Sequence, residues 1–215
     1  MIHEVLTVGP LQCNCSILGD EETQDAIVID PGDEVERILG RLKAHDLRLR
    51  YILNTHAHFD HIGNCAELKA ATGAEILLHQ DDLSLYEAAP GQAQLFAGYG
   101  VGRIRIAPVD RFVRDAESIQ IGKVEGRILH TPGHSPGSLG LLVPAGAGDL
   151  LLAGDTLFQG SVGRTDLPGG DYEQLLRSIQ KQLLCLDDDT LVWPGHGPRT
   201  TIGRERRSNP FLRGL

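Results

Sequence analysis

Four side chains able to hold a metal ion fall within six residues: His56, His58, Asp60 and His61, in the stretch Thr55-His56-Ala57-His58-Phe59-Asp60-His61. The run before it, Leu49-Arg50-Tyr51-Ile52-Leu53-Asn54, has the apolar content of a strand, and on an extended chain side chains two apart point the same way. His56 and His58 therefore leave a strand end aimed together, and Asp60 and His61 open a helical run. A histidine pair followed at once by a carboxylate and a third imidazole can aim ligands at two neighbouring points, which suits a pair of metals. Further on, Gly133-His134, Gly154-Asp155 and Gly195-His196 each put a ligand-type residue beside a glycine at a turn signal, after an apolar run. Seven ligands can thus be assembled. Histidines with open coordination next to carboxylates suit catalytic Zn²⁺, and the same donors accept iron or manganese. Zinc lowers the pKa of a bound water from about 15.7 to about 7, so hydrolysis at neutral pH is the chemistry such a set favours.

The elements that must position these residues follow from periodicity. Residues 2–8, 14–19 and 25–30 read as three short strands. Asp33 then caps a helix, with Glu36 completing a capping box and Val35, Ile38, Leu39 and Leu42 forming its apolar stripe. The strand at 49–54 delivers the histidine stretch, a helix runs from about 61 to 72 with Gly73 as its stop, and Ala74 to Leu78 is another strand. Residues 80–89 read as a short helix. Between Pro90 and Pro108, scattered glycines predict a long loop, either a lid or an ordinary surface loop. A second half starts near Arg111, with strands at about 118–121, 124–130, 138–143 and 149–153. A helix capped by Asp171 follows, with Gln174 at the capping-box position, and a final strand at 190–193 leads to His196. Asp30 closes a buried-looking strand; it is either a turn-forming residue before Pro31 or, by the resemblance described below, a residue that orders the metal-binding loop. His3, His45, His79 and His130 are left out of the ligand set.

A chain of 215 residues with 41% hydrophobic and 23% charged residues can bury a sizeable core. No apolar run approaches the roughly 18 residues that span a membrane, and Met1 to Thr7 has neither the basic region nor the apolar stretch of a signal peptide. A cytoplasmic protein with no membrane partner is expected. The net charge of −9 argues against a nucleic-acid partner. The four cysteines are expected as reduced thiols, with Cys65 and Cys185 buried in helical patterns. Arg199, Arg204, Arg206 and Arg207 form a basic cluster, read either as a solvated helix face or as a patch for an anionic substrate.

With these residues in view, the chain resembles the metallo-β-lactamase-fold hydrolases, and within them the short glyoxalase II-like (hydroxyacylglutathione hydrolase) branch. The resemblance runs over essentially the whole chain, through Asn14-Cys15-Ser16, Ile29-Asp30-Pro31-Gly32, Gly163-Arg164-Thr165-Asp166-Leu167-Pro168-Gly169-Gly170-Asp171, Pro194-Gly195-His196-Gly197-Pro198 and Asn209-Pro210-Phe211-Leu212. It implies an α/β four-layer αββα sandwich with the metal site at the edge between two halves, as a single domain over 1–215 without a C-terminal helical extension. It assigns His56, His58 and His134 to a first metal, Asp60, His61 and His196 to a second, and Asp155 as the bridge, with two Zn²⁺ per chain. Asp60 and Asp155 would be the catalytic carboxylates, and the substrate a small-molecule thioester, S-D-lactoylglutathione or a related hydroxyacyl-thiol, attacked by metal-activated water. Arg164 is the substrate-binding residue for an anionic thioester, or else the partner of Asp166 in a structural ion pair. An iron-dependent persulfide dioxygenase is the alternative, because such enzymes share the Gly-Arg-Thr-Asp stretch. A β-lactamase fits less well, since Asp155 fills the position where a cysteine or other ligand is usual.

Overall fold

The computed structural model describes residues 1–146 and 148–215. Its first sheet contains β1 (Ile2–Val8), β2 (Cys13–Gly19), β3 (Asp25–Ile29), β4 (Arg48–Leu53), β5 (Glu75–His79) and β6 (Arg111–Val113), neighbouring one another in chain order. The first three strands are joined by turns and run antiparallel. From β3 onward the pairing is parallel, because helices intervene: α1 (Val35–Ala44) before β4, α2 (Phe59–Ile62) and α3 (Cys65–Thr72) before β5, and α4 (Leu83–Leu95) before β6. The second sheet has the order β14-β13-β10-β9-β8-β7, built from β7 (Ser118–Ile121), β8 (Val124–His130), β9 (Leu139–Pro144), β10 (Asp149–Gly154), β13 (Leu191–Pro194) and β14 (Thr200–Thr201). A small ribbon of β11 (Leu157–Phe158) and β12 (Ser161–Val162) leads from β10 toward α5 (Tyr172–Ser178), and α6 (Ile202–Ser208) follows β14.

Strand alternation sorts the apolar side chains into three layers of core. Ile27, Ile29, Leu53 and Leu77 of the first sheet meet Ile128, Leu141, Leu150 and Leu152 of the second. On the other face of the first sheet, Val28, Ile52 and Ile76 pack on Ile38, Leu42, Leu68 and Tyr86 of the helices. On the other face of the second, Leu151, Ala153 and Val192 pack on Leu175, Ile179 and Ile202. The result is the four-layer αββα sandwich. No helix among the described residues is long and apolar enough to cross a membrane.

Several sequence expectations are corrected. Asp33 does not cap α1: Glu34 takes the cap position in a left-handed conformation without a side-chain bond, and Asn64 Oδ1 instead accepts from the Val35 amide at 2.9 Å. The helix expected over 61–72 is broken between Ile62 and Cys65. There Gly63 passes so close to the Gly32 carbonyl that a Cβ would lie 2.2 Å from its oxygen. The long loop expected from Pro90 begins later, because α4 continues through Pro90 to Leu95. Proline removes one backbone bond there, and burial of Tyr86, Ala89 and Ala93 offsets the loss. Arg111 does not open the second half, since β6 extends the first sheet beside β5. All four cysteines are free, and Cys185 is exposed rather than buried. The cap at Asp171 is as expected, its side chain accepting from the Gln174 amide at 2.9 Å.

Candidate metal centre

Every sequence-predicted ligand comes from a loop at one edge of the two sheets. His56 to His61 follow β4, His134 lies between β8 and β9, Asp155 follows β10 and His196 follows β13. His56, His58 and His134 gather so that His134 Nε2 lies 3.2 Å from His56 Nε2 and 2.9 Å from His58 Nδ1. Asp60, His61 and His196 form a second group, with His61 Nε2 3.1 Å from His196 Nε2 and an Asp60 oxygen 3.2 Å from the same nitrogen. Asp155 stands between the groups: Oδ1 is 3.6 Å from His61 Nε2, and Oδ2 is 3.7 Å from His134 Nε2 and 3.8 Å from His196 Nε2.

The outward ring atoms fix which nitrogens face inward. A carbonyl can only accept, so His134 Nδ1 donates to Arg164 O at 2.8 Å and His196 Nδ1 donates to Gln12 O at 3.2 Å. His61 Nδ1 donates to Asp30 Oδ2 at 2.9 Å. Thr55 Oγ1 gives its own proton to Asp30 Oδ2 at 2.7 Å, and therefore accepts from His56 Nδ1 at 3.1 Å. In their neutral forms His56, His61, His134 and His196 therefore turn lone pairs inward, at about hydrogen-bond distance from one another. Asp155 Oδ1 is buried and has no hydrogen-bond partner, an arrangement that costs free energy unless a cation lies among these atoms. Gly195 closes the cradle, for a Cβ there would sit 2.2 Å from Asp155 Oδ1 and 2.7 Å from the His61 ring. The donor set fits two metal ions.

Charge distribution differs between the groups. Burial, then the neighbouring imidazoles, hold His56 well below the ordinary histidine range and bring His58 down to about 4. Burial opposes a charge on His61 as well, but the acidic groups around it, the Cys13 thiol first and then Asp155, Asp60 and Asp30, more than reverse this and push it up. His196 is raised in the same way, burial being outweighed by the bond to Asp60 and the charge of Asp155. Burial works against the Asp60 carboxylate, yet His61 and His196 hold its pKa well below the usual range. Asp60 is thus ionised at neutral pH.

Asp30 is the loop-ordering residue of the two readings. Its Oδ1 accepts from the Thr55 amide at 2.7 Å, and Oδ2 takes Thr55 Oγ1 and His61 Nδ1. Two further positioning residues were not singled out from the sequence. Buried Asp82 accepts from the amide of Ala57 at 2.9 Å, from Ser135 Oγ at 2.8 Å and from the amide of Gly137 at 2.6 Å, so one carboxylate ties the His56–His58 loop to the His134 loop. Asn14 takes the Gly195 carbonyl with its amide at 2.7 Å and donates its side chain to Pro194 O and Gly197 O at 3.0 and 2.9 Å, fixing the His196 loop from the first sheet. Asp82 reads in sequence as an ordinary helix-opening aspartate, whereas Asn14 lay within a motif already noted.

Arg164 and Asp166 form a two-bond pair, both contacts 2.7 Å, with each side chain more than half exposed. Arg206 and Arg207 both pair with Asp188, and Arg206 also donates to Leu184 O and Leu186 O, which makes this part of the basic cluster a structural helix face. His79 and His130, outside the expected ligand set, stack at 4.0 Å with planes 13° apart. Nearly parallel rings do not aim their in-plane lone pairs at one point. Beside Asp60 opens a cavity of about 240 Å³, walled by the turn Val8 to Leu11, by Gly32 and Asp33, by residues of α2 and by the segment Gly100 to Ile104.

Comparison with known proteins agrees with this geometry. The metallo-β-lactamase superfamily model matches residues 8–196. The hydroxyacylglutathione hydrolase GloC of Haemophilus influenzae is 44% identical over 211 residues, covering 97% of each chain. Among solved structures, the BLEG-1 B3 metallo-β-lactamase superposes with a TM-score of 0.89 at 38% identity, over 99% of this chain and 100% of that one. TTHA1623 in a di-iron-bound form gives 0.85 at 42%, over 97% and 100%. ETHE1 from Myxococcus xanthus gives 0.82 at 29%, over 100% and 85%. The fold, the paired histidine–aspartate clusters and these likenesses together show that the chain belongs to the metallo-β-lactamase superfamily, as a metallo-hydrolase.

Proposed function

We propose that the protein is a thioester hydrolase of hydroxyacylglutathione type, acting on S-D-lactoylglutathione or a related hydroxyacyl-thiol. The observation that carries this reading is the 44% identity, over almost the whole of both chains, to the Haemophilus influenzae hydroxyacylglutathione hydrolase. The donor set supports it. His56, His58 and His134 would hold one metal, Asp60, His61 and His196 a second, with Asp155 shared; zinc is the first choice and iron or manganese are compatible. When bound, the ions would supply Lewis-acid polarisation of the carbonyl and acidify water.

The chain's own residues do the rest. Asp60 is ionised and its side chain is 17% exposed at the cavity wall, so it can accept a hydrogen bond from an attacking water and orient its lone pair toward the carbonyl carbon. Asp30 and Asp82 fix the loops that carry the ligands, which keeps the reacting geometry preformed. A thiol of pKa about 8.5 leaves as thiolate far more readily than an amine, so no separate general acid is needed. The described side chains of the two clusters are imidazoles and carboxylates only, which suits a leaving group of that kind.

The test is thiol release from S-D-lactoylglutathione by zinc-loaded protein without oxygen, beside a metal-stripped sample. Fast, metal-dependent release is expected; none from fully loaded protein would overturn the reading. The second reading, an iron-dependent persulfide dioxygenase, draws on the Gly163-Arg164-Thr165-Asp166 stretch and on donors that iron also accepts. Oxygen uptake with glutathione persulfide by iron-loaded protein would favour it. The likeness to a B3 metallo-β-lactamase makes hydrolysis of a chromogenic cephalosporin a third arm of the same assay, in which a slower rate than with the thioester is expected.

A further inference from the structure

Among the described residues, the cavity beside Asp60 has a single basic side chain in its wall. Of its lining residues among those described, only Arg103 is basic, while Asp33 and Asp60 supply two carboxylates. On a chain of net charge −9, an anionic ligand in such a pocket needs a directly pairing cation to offset the surrounding negative charge. The other arginines near this wall are engaged: Arg105 holds Glu67 at 2.9 Å, and Arg37 holds Glu34 at 3.0 Å. Arg103 has no ion-pair partner among the described residues, and its side chain is exposed.

Its position is nevertheless fixed. Val101 and Ile104, on either side of it, pack against the core between the first sheet and its helices. Gly100 turns the chain back with φ of 86°. Four residues earlier, the Phe96 ring lies 4.9 Å from that of Phe59, tilted by 33°, and Phe59 precedes Asp60 on α2. The segment bearing Arg103 is thereby anchored to the helix that carries a candidate ligand, with a free planar guanidinium presented at the cavity wall. That fork matches a carboxylate through two parallel bonds, and Val8, Leu11 and Phe59 offer apolar contact for the methylenes of a ligand.

We propose that this cavity is the subsite for a carboxylate-bearing part of the substrate, and that Arg103 is the residue that selects for it. The proposal deepens the thioester-hydrolase reading and rests on it for the identity of the substrate. Its test is therefore a binding experiment that needs no turnover. S-methylglutathione, a thioether with both carboxylates free, and its dimethyl ester are titrated into metal-loaded wild type, Arg103→Ala and Arg103→Lys by calorimetry. Arg103→Ala is expected to weaken S-methylglutathione about tenfold, Arg103→Lys to restore part of the loss, and the diester to bind wild type and Arg103→Ala alike. In turnover of S-D-lactoylglutathione, KM should rise by a similar factor while kcat stays within about twofold. Equal binding of the free acid by wild type and Arg103→Ala, an equal loss for the diester, or no binding of the free acid by wild type would each overturn the proposal. Arg103-dependent binding without hydrolysis by wild type would uphold the subsite and overturn the thioester reading instead.

Discussion

The two ligand clusters share Asp155 and one edge of the fold, yet they are held in opposite ways. The first, His56, His58 and His134, contains only imidazoles and is oriented by uncharged partners, the Thr55 hydroxyl and the Arg164 carbonyl. Burial keeps His56 and His58 neutral. The second contains Asp60, and its His61 is oriented by a buried carboxylate, Asp30. Acidic surroundings raise His61 and His196. A cation among neutral imidazoles keeps more of its charge uncompensated than one beside two carboxylates. A metal held by the first cluster would thus be the stronger electrophile, and the second cluster offers the more strongly anionic donor set. Asp60, which belongs to the second, is ionised and available as a hydrogen-bond acceptor.

That difference can be broken at its shared point. Asp155→Ala is expected to cost the largest effect, a loss of activity of at least about 10³-fold with both metals weakened, because both clusters lose their common oxygen donor. Metal content per chain, measured after dialysis, checks it, and retention of two ions would overturn the bridging assignment. Asp30→Ala should separate the clusters. It strips His61 of its orienting carboxylate and leaves the Thr55 amide and the Thr55 hydroxyl proton without an acceptor, while the Thr55 oxygen still accepts from His56 Nδ1. One ion should be retained and one lost, with metal-free stability falling by about 1–3 kcal/mol. Equal loss from both positions would show that Asp30 supports the whole loop and not one cluster.

The first cluster was the more legible in sequence, and the reason is local. His56 and His58 stand two residues apart just beyond the end of a strand at Leu53, close enough in the chain for the pair to be read together. His134, Asp155 and His196 each stand beside a glycine at a strand end, and each strand was visible from its apolar run. The layers could be read for the same reason: Ile27, Val28 and Ile29 alternate between two cores. What escaped depends on contacts distant in the chain. Asn64 replaces the cap of α1 from 29 residues away, and no local pattern signals that. Asp82 meets Ala57 and Ser135 across separations of 25 and 53 residues. Continuation of α4 through Pro90 is decided by Ala89 and Ala93 against the core, where tertiary burial overrides a local breaker.

Asp82 gives the mirror image of the Asp30 experiment, with a smaller effect. It touches no ligand side chain, but it holds the amide between His56 and His58 and the hydroxyl next to His134. Asp82→Asn should weaken metal at the first position about 10- to 100-fold, in line with other residues that orient ligands, and leave the second nearly unchanged. A competition titration with a chelator reads this directly. If the second position weakens as much, the two clusters are not independently supported and the contrast drawn above fails.

Arg164 sharpens the comparison at the lowest cost in activity, because its backbone and side chain do different things. The carbonyl orients His134 and survives truncation of the side chain, so Arg164→Ala should leave metal content at both positions unchanged. The guanidinium is exposed and already paired with Asp166; a substrate carboxylate must displace that partner, and an exposed pair is worth only about 0.2–1 kcal/mol. As a proposed substrate contact it should therefore raise KM for an anionic thioester by only about two- to fivefold, less than Arg103→Ala, with kcat intact. An unchanged KM would leave Arg164 as a structural partner of Asp166. A fall in first-position metal affinity would instead mean that the ion pair holds the carbonyl in place for His134.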